Sequence, residues 1–372
     1  MTEVSFFEKI ERQFSKDLPF VIYSRPINRF IKSWLQKDDA LHTTSDFSES
    51  GFVFAPFDLK KDTVLFSTIN CDHFQIEIDK LTLDSEFITT NSSVSESNKT
   101  KHLELVNKGI KAINAQKFNK VVLSRFTTLQ TNEHPITIFK RLFNTYENAM
   151  VYCWYHPKVG MWVGATPELL FKTVGQQLTA ISLAGTQPYS SVDSPKWTDK
   201  EIKEQGIVTN YLVEQIAPFV VNSRISDVET IRAGSLWHLK SRITSQIKSG
   251  AYLKSIIEAL HPTPAVCGQP KEVAKDFILQ NEDYDREFYT GFLGELNLKH
   301  YVNRNKNRRN IENNAYASVK TISNFYVNLR CAKLKDGEAK VYVGGGILRD
   351  SNAIKEWEET QNKTKTIASI LG

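Results

Sequence analysis

The chain has 372 residues, of which 41% are hydrophobic and 24% charged, with a net charge of +5. These are globular values, and no apolar run approaches the roughly 20 residues of a membrane helix. The N-terminal segment carries acids early and no apolar core, which argues against an export signal. Four scattered cysteines without a CxxC spacing read as free thiols of a reducing cytoplasm.

Residues 1–100 carry few clear signals. GFVFAPF and TVLFSTI read as strands, and the Ser/Thr/Asn-rich stretch 89–100 reads as a linker or surface loop. From Lys101 the pattern sharpens. HLELVNKGIKAINAQ has apolar residues at helical period, KVVLSRFTTLQ reads as a strand, and TIFKRLFNTYENA as a helix. MVYCWYH, GMWVGAT, ELLFKTV and QLTAISLAG follow as short strands, then a helix over 197–218 and another over 245–260 that stops at His261-Pro262. KEVAKDFILQN is a shorter helix. FYTGFLGELNL, KTISNFYVNLRCAKL and AKVYVGGGI are strand-rich, and the chain ends on a helix. Helices grouped between strand runs with hairpin-length gaps predict an α+β fold of mostly antiparallel sheets, without the rhythm of a parallel doubly wound sheet.

Several segments can carry chemistry. Glu201 and Glu204 share one predicted helix, and Glu356 and Glu359 another, each pair spaced i, i+3 on one face. Four convergent carboxylates would hold a hard divalent cation such as Mg²⁺; two solvated helix faces would show the same spacing. Gly344, Gly345 and Gly346 follow a β-rich run and precede a helix, so they read as a tight turn or as a backbone that approaches an anion closely. Arg330 lies in an apolar strand pattern; facing inward it would take a ligand carboxylate, and otherwise it is exposed to solvent or held in a structural salt bridge.

Lys120 opens the strand KVVLSR. Buried, it loses basicity and can serve as a general base; exposed, it is only a strand end. Glu168 follows a Thr-Pro turn at the start of ELLFKTV, where partial burial would make it a general acid. No HExxH, Cys/His ligand spacing or GxSxG elbow is present. The basic run NRNKNRR, in the Asn-rich stretch 303–314, lacks the interleaved aromatics of a single-strand binder and reads as a solvated loop.

Together these segments resemble the chorismate-utilising enzymes: the isochorismate, salicylate, anthranilate and aminodeoxychorismate synthases. The resemblance runs over 101–372. It rests on KVVLSR, GATPELLF, SLAGT, the Glu201/Glu204 helix, LWHL, HPTPAVCGQP, YDREFYTGFLG, LRCAKL, VGGGI and EWEETQNK. It implies an anthranilate-synthase-component-I-like four-layer sandwich, with the site between its sheets. It also implies one chorismate-binding domain over 1–372, with 1–100 as its variable part and 101–372 as its catalytic part.

The resemblance further implies Mg²⁺ on Glu204 and Glu359, with Glu201 and Glu356 beside it. Arg330 and the backbone of residues 344–346 would take the pyruvyl carboxylate, with Lys363 near it. Gly185 and Thr186 would line the ring and Phe288 would form its wall. Lys120 matches the base of the water-using members, and Ala184 stands where aminodeoxychorismate synthases carry a nucleophilic lysine. HPTPA is most similar to isochorismate synthases; salicylate synthases share base and acid and go on to eliminate pyruvate. A monomer in the cytoplasm follows, with no glutaminase subunit, nucleic acid or membrane partner. One departure stands out: Gln205 follows Glu204 where many relatives carry histidine.

Overall fold

The computed structural model describes residues 1–83, 96–188, 195–233, 236–302 and 318–371. Helix α1 (Glu3–Ser15) is followed by strands β1 (Phe20–Ser24), β2 (Phe30–Gln36), β3 (Thr43–Thr44), β4 (Gly51–Ala55), β5 (Thr63–Ser67) and β6 (Cys71–Glu77). Next come α2 (Glu96–Asn114), β7 (Lys120–Gln130), α3 (Pro135–Thr145), β8 (Met150–His156), β9 (Gly160–Thr166), β10 (Leu169–Val174), β11 (Gln177–Pro188) and α4 (Asp199–Ile216). The remainder is β12 (Val220–Ile225), β13 (Glu229–Ala233), β14 (Leu236–Ile247), α5 (Leu253–Leu260), β15 (Gly268–Gln269), α6 (Lys271–Asn281), β16 (Phe292–Val302), β17 (Ser318–Val327), β18 (Cys331–Lys335), β19 (Glu338–Ile347) and α7 (Ala353–Leu371).

These strands form two sheets. One runs β15-β7-β19-β18-β9-β8-β1-β2-β6; the other runs β12-β14-β11-β10-β17-β16-β4-β5-β3, with β13 added beside β14. Every described pairing is antiparallel. The first sheet buries its outer face under α1, α3 and the end of α7, through Phe6, Ile10, Phe139, Leu142, Ile367 and Ile370. The second is covered by α4 and α5, through Leu212, Ile216, Ile256 and Leu260. Between the sheets lies an aromatic core that includes Phe54, Trp154, Trp162, Phe288 and Tyr342. The order helices, sheet, sheet, helices is the expected four-layer α+β sandwich.

The opening segment is far from peripheral. Its six strands supply β1, β2 and β6 to one sheet and β3, β4 and β5 to the other. Two further differences from the sequence reading have local causes. Residues 96–100, read as loop, form the first turns of α2. The helix expected over 245–260 shrinks to Leu253–Leu260, because residues 245–247 finish β14 and Gly250, at φ +83°, turns the chain. The basic stretch 303–314 lies outside the described residues.

Among the chain's passages between the sheets, residues 167–168 link β9 to β10 and residues 328–330 link β17 to β18. The two crossings lie side by side. Val327 N donates to Glu168 O at 2.9 Å, and Ala165 N to Arg330 O at 3.1 Å.

An ion cluster also ties the sheets. Glu295 of β16, 1% exposed, accepts from Tyr23 Oη at 2.8 Å and Lys32 Nζ at 2.7 Å, with Arg25 Nη1 at 3.3 Å. Burial pushes the Glu295 carboxyl up, but the charges of Arg25 and Lys32 and the hydrogen bonds from Lys32 and Tyr23 win and hold it below its ordinary value. A folded-state value below the unfolded one means stability that is complete above the ordinary glutamate range and lost as pH falls through the lowered value. Glu295→Gln leaves Lys32 and Arg25 without their counter-charge, and we expect a loss of about 3–5 kcal/mol in urea unfolding at neutral pH. The difference from wild type should shrink as pH falls into the acid range.

Candidate active site

Strand β7 begins at Lys120 and pairs along its length with β19: Gly346 lies opposite Val122, Gly345 opposite Leu123 and Gly344 opposite Ser124. The three glycines therefore sit within a strand, in line with the strand-rich reading of AKVYVGGGI and not with the tight turn also considered, and none has a positive φ. What they supply is space. A Cβ on Gly346 would lie 3.0 Å from Lys120 Cε, one on Gly345 would lie 3.2 Å from Glu356 Oε2, and one on Gly344 would lie 3.0 Å from Tyr289 Oη. Alternation along the strand puts Gly344 and Gly346 on one face and Gly345 on the other. The first face meets Lys120 and Tyr289, and the second meets helix α7. Strand β18 pairs with β19 only from Glu338 to Val341, so its ladder stops before the glycines.

Lys120 and Glu168 come within electrostatic reach of one another. Burial lowers the Lys120 ammonium, while Glu168 and Glu204 raise it and Lys363 lowers it further; the net shift is downward. Burial raises the Glu168 carboxyl to about 7 against the opposing pull of Lys120 and Arg330. Both groups move toward neutrality, as desolvation dictates. Glu168 owes its place to the first sheet crossing, just after Thr166, whose hydroxyl donates to Val327 O at 2.5 Å.

Arg330 differs from the strand placement expected, while its exposure is one of the alternatives given above. It is exposed, on the second crossing rather than within a strand, and holds φ +49°. That left-handed backbone is uncommon for a residue with a side chain. It breaks the strand pattern and leaves the side chain exposed where the chain passes between the sheets, within electrostatic reach of Tyr146 and Glu168. Among the described residues it has no carboxylate in ion-pair contact.

The glutamate pairs lie on α4 and α7 as predicted, yet their carboxylates do not converge into one nest. Among the described residues no three His, Cys, Asp or Glu side chains are close enough to hold a metal. Like charges repel, and local partners draw them apart. Glu201 belongs to the capping box of α4, accepting from Thr198 N at 2.8 Å, and it also accepts from Gln187 Nε2 at 2.8 Å. Glu356 accepts from Ser351 Oγ at 2.7 Å, and its carboxyl is raised by burial and by Glu359. Glu359 pairs with Lys363 Nζ at 2.7 Å, and that ammonium also donates to Gly344 O at 2.9 Å. By type, the donor set fits a hard divalent cation. The Lys363 ammonium already occupies a cation's position between a carboxylate and a strand carbonyl.

Gly185 breaks the β11–β14 register as a bulge, at φ +70°, and a Cβ there would approach Leu239 Cδ1 at 3.3 Å and Glu201 O at 3.4 Å. Thr186 pairs in the ladder with His238. Phe288 is 7% exposed, edge-on to Phe54, Trp154 and Trp162, so it belongs to the core between the sheets. Two groups lie in segments quoted above, LWHL and YDREFYTGFLG, but have no role of their own there. His238 hydrogen-bonds the Gly185 carbonyl and feels Arg330. Tyr289, next to Phe288, carries the hydroxyl that borders Gly344. Neither has a spacing that marks it, since each depends on the sheet register. Gln205, the departure noted above, is buried and donates to Ser241 Oγ at 2.9 Å and Thr209 Oγ1 at 3.0 Å, holding α4 on β14.

The chorismate binding enzyme family model matches residues 63–302 and 316–372. The isochorismate synthase EntC of Escherichia coli is 27% identical over 267 residues, 68% of this chain and 62% of its own length. The isochorismate synthase MenF of Pasteurella multocida is 31% identical over 221 residues, 56% of this chain and 46% of its own. The chain thus spans about half to two thirds of the length of these relatives. The fold matches menaquinone-specific MenF of Escherichia coli with a TM-score of 0.74 at 20% identity, over 95% of this chain and 89% of that one. It matches anthranilate synthase component I of Streptococcus pneumoniae with 0.66 at 16% identity, over 94% and 90%. With the family model covering well over half of its residues, the chain belongs to the chorismate binding enzyme family.

Proposed function

We propose that this protein is an isochorismate synthase, interconverting chorismate and isochorismate. The observation that carries the reading is the half-buried pair of Lys120 and Glu168, whose charges reach one another and which desolvation moves toward neutrality. A water-using isomerisation needs one group to take a proton from water and another to give one to a departing hydroxyl, and this pair supplies both. The similarity to several isochorismate synthases supports the same choice. Residues 1–372 act as one chorismate-binding domain, since the opening strands complete both sheets.

In this mechanism neutral Lys120 takes a proton from a water that attacks C2 of the ring. The ring double bonds shift, the C4–oxygen bond breaks, and Glu168 protonates the leaving hydroxyl, which departs as water. One water enters and one leaves, so substrate and product are isomers. Arg330 and the glycine strand, with Lys363, hold the pyruvyl carboxylate; Gly185 and Thr186 line the ring and Phe288 backs the seam. Glu204 and Glu359, supported by Glu201 and Glu356, would hold Mg²⁺, which would grip the ring carboxylate and draw off charge. A cytoplasmic monomer without a glutaminase subunit suits water as nucleophile, and the four cysteines are buried free thiols. No described helix is long and apolar enough to cross a membrane.

Incubating the protein with chorismate and Mg²⁺, with and without ammonium, and identifying the product by mass and NMR tests the assignment. Isochorismate alone is expected. Salicylate with pyruvate would make the protein a salicylate synthase, and anthranilate would overturn the role of water.

Lys120→Ala and Glu168→Gln should each lower kcat by about 10²–10⁴-fold with the fold intact by circular dichroism. A variant that keeps wild-type turnover removes that residue from the mechanism.

The competent pair holds one proton in total, on Glu168 rather than Lys120. With two protons the base is blocked; with none the acid is spent. The profile of kcat/KM should therefore rise through the first pair pKa, about 7 and dominated by Glu168, and fall through the second, the lowered Lys120 value. In Glu168→Gln the residual activity should lack the limb near 7.

A further inference from the structure

Arg125 lies five positions after Lys120 on β7, an odd spacing that turns its side chain to the opposite face, toward α7. It is 6% exposed. Its Nε donates to Thr360 Oγ1 at 2.8 Å, its Nη2 to Gln361 Oε1 at 2.7 Å, and its Nη1 to Thr127 Oγ1 at 2.6 Å. The guanidinium stacks on Trp357, 4.2 Å from the ring centroid. Three of its four partners are therefore on α7, interleaved with Glu356 and Glu359.

No carboxylate among the described residues pairs with this buried charge. Burial lowers Arg125 to about 10, so it stays cationic at neutral pH, and neighbouring His102 is driven down to about 4 by burial and by Arg125, so it stays neutral. A buried cation facing only neutral acceptors is a poor source of stability. What it supplies is direction. Farther along, α7 is held by the apolar side chains Ile367, Ile370 and Leu371, contacts that tolerate small rotations. In the first turns the buried positions include Thr360 at 0% exposure, whose hydroxyl accepts from Arg125 and donates to Trp357 O at 2.7 Å. Successive helix residues differ by about 100°, so whatever fixes Trp357, Thr360 and Gln361 also fixes where Glu356 and Glu359 point.

We propose that Arg125 is the positioning residue of the carboxylate helix: it sets the rotation of α7 so that Glu356 meets Gly345 and the Glu359–Lys363 pair meets Gly344. This inference rests on the metal role assigned above to α7. Because Arg125 and Lys120 share one strand, it also fixes the base relative to the metal carboxylates.

The test is Mn²⁺ affinity measured by EPR without substrate, in wild type, Arg125→Met, Arg125→Lys and Glu359→Gln, alongside thermal melting. Arg125→Met should weaken Mn²⁺ binding by about 10–100-fold, the range found for groups that orient metal ligands. Arg125→Lys keeps the charge but not the fork, and should weaken it nearly as much. Glu359→Gln should also weaken binding. Wild-type affinity in Arg125→Met beside a weakened Glu359→Gln would overturn the positioning role alone. An effect in Arg125→Met fully restored in Arg125→Lys would assign the influence to charge and reject orientation. Failure of wild type to bind Mn²⁺ would remove the metal role, and this inference with it. Should Arg125→Met not fold, Thr360→Val removes one of the helix bonds and should weaken binding about threefold or more; unchanged affinity there counts equally against the proposal.

Discussion

Two of the crossings between the sheets, held to each other by backbone hydrogen bonds, are the constraint on which the candidate site depends. One carries Glu168 and the other Arg330. Val327 N to Glu168 O and Ala165 N to Arg330 O lock the crossings side by side, so a candidate acid and a candidate anion clamp are placed by main chain rather than by side-chain packing. Main-chain bonds of this kind survive most substitutions, which suits groups whose position must hold within fractions of an ångström. The left-handed Arg330 backbone is the local strain that accompanies this route.

Against this frame the third feature works by omission. Three residues of β19 without side chains let Lys120, Tyr289 and Glu356 approach one strand from both faces, and expose the Gly344 carbonyl to Lys363. The electrostatics follow from the same crowding. Lys120 and Glu168 lose water together, and each pulls the other part of the way back toward its charged form. Neither would be tuned alone as the pair is tuned.

The sequence was most readable where local pattern and tertiary role agree. KVVLSRFTTLQ, MVYCWYH, GMWVGAT and KEVAKDFILQN match their elements residue for residue, the strands because short apolar runs rich in Val and aromatic residues favour extended chain, the helix because its buried Ala274 and Ile278 share one face. It misled where tertiary contacts override local habit. The glycines also read as a tight turn but are extended, since their purpose is clearance for neighbours that are remote in sequence. Arg330 looks like a strand residue but stands on a crossing that only the two-sheet topology creates. His238 and Tyr289 reach the site through register, which composition does not encode. The weak signals of the opening segment reflect strands buried on both faces, such as GFVFA, whose apolar runs show no alternation.

Glu201 closes the capping box of α4 and is also a member of the proposed metal set. On that proposal one carboxylate would serve both the start of a helix and the loading of an ion. If the ion draws Glu201 toward itself, Thr198 loses its partner and the first turn of α4 loosens; if the cap holds, the ion must find its oxygens elsewhere. Occupancy and helix order would then be a single equilibrium, and selection could not adjust how tightly the ion is held without also adjusting how firmly this helix begins.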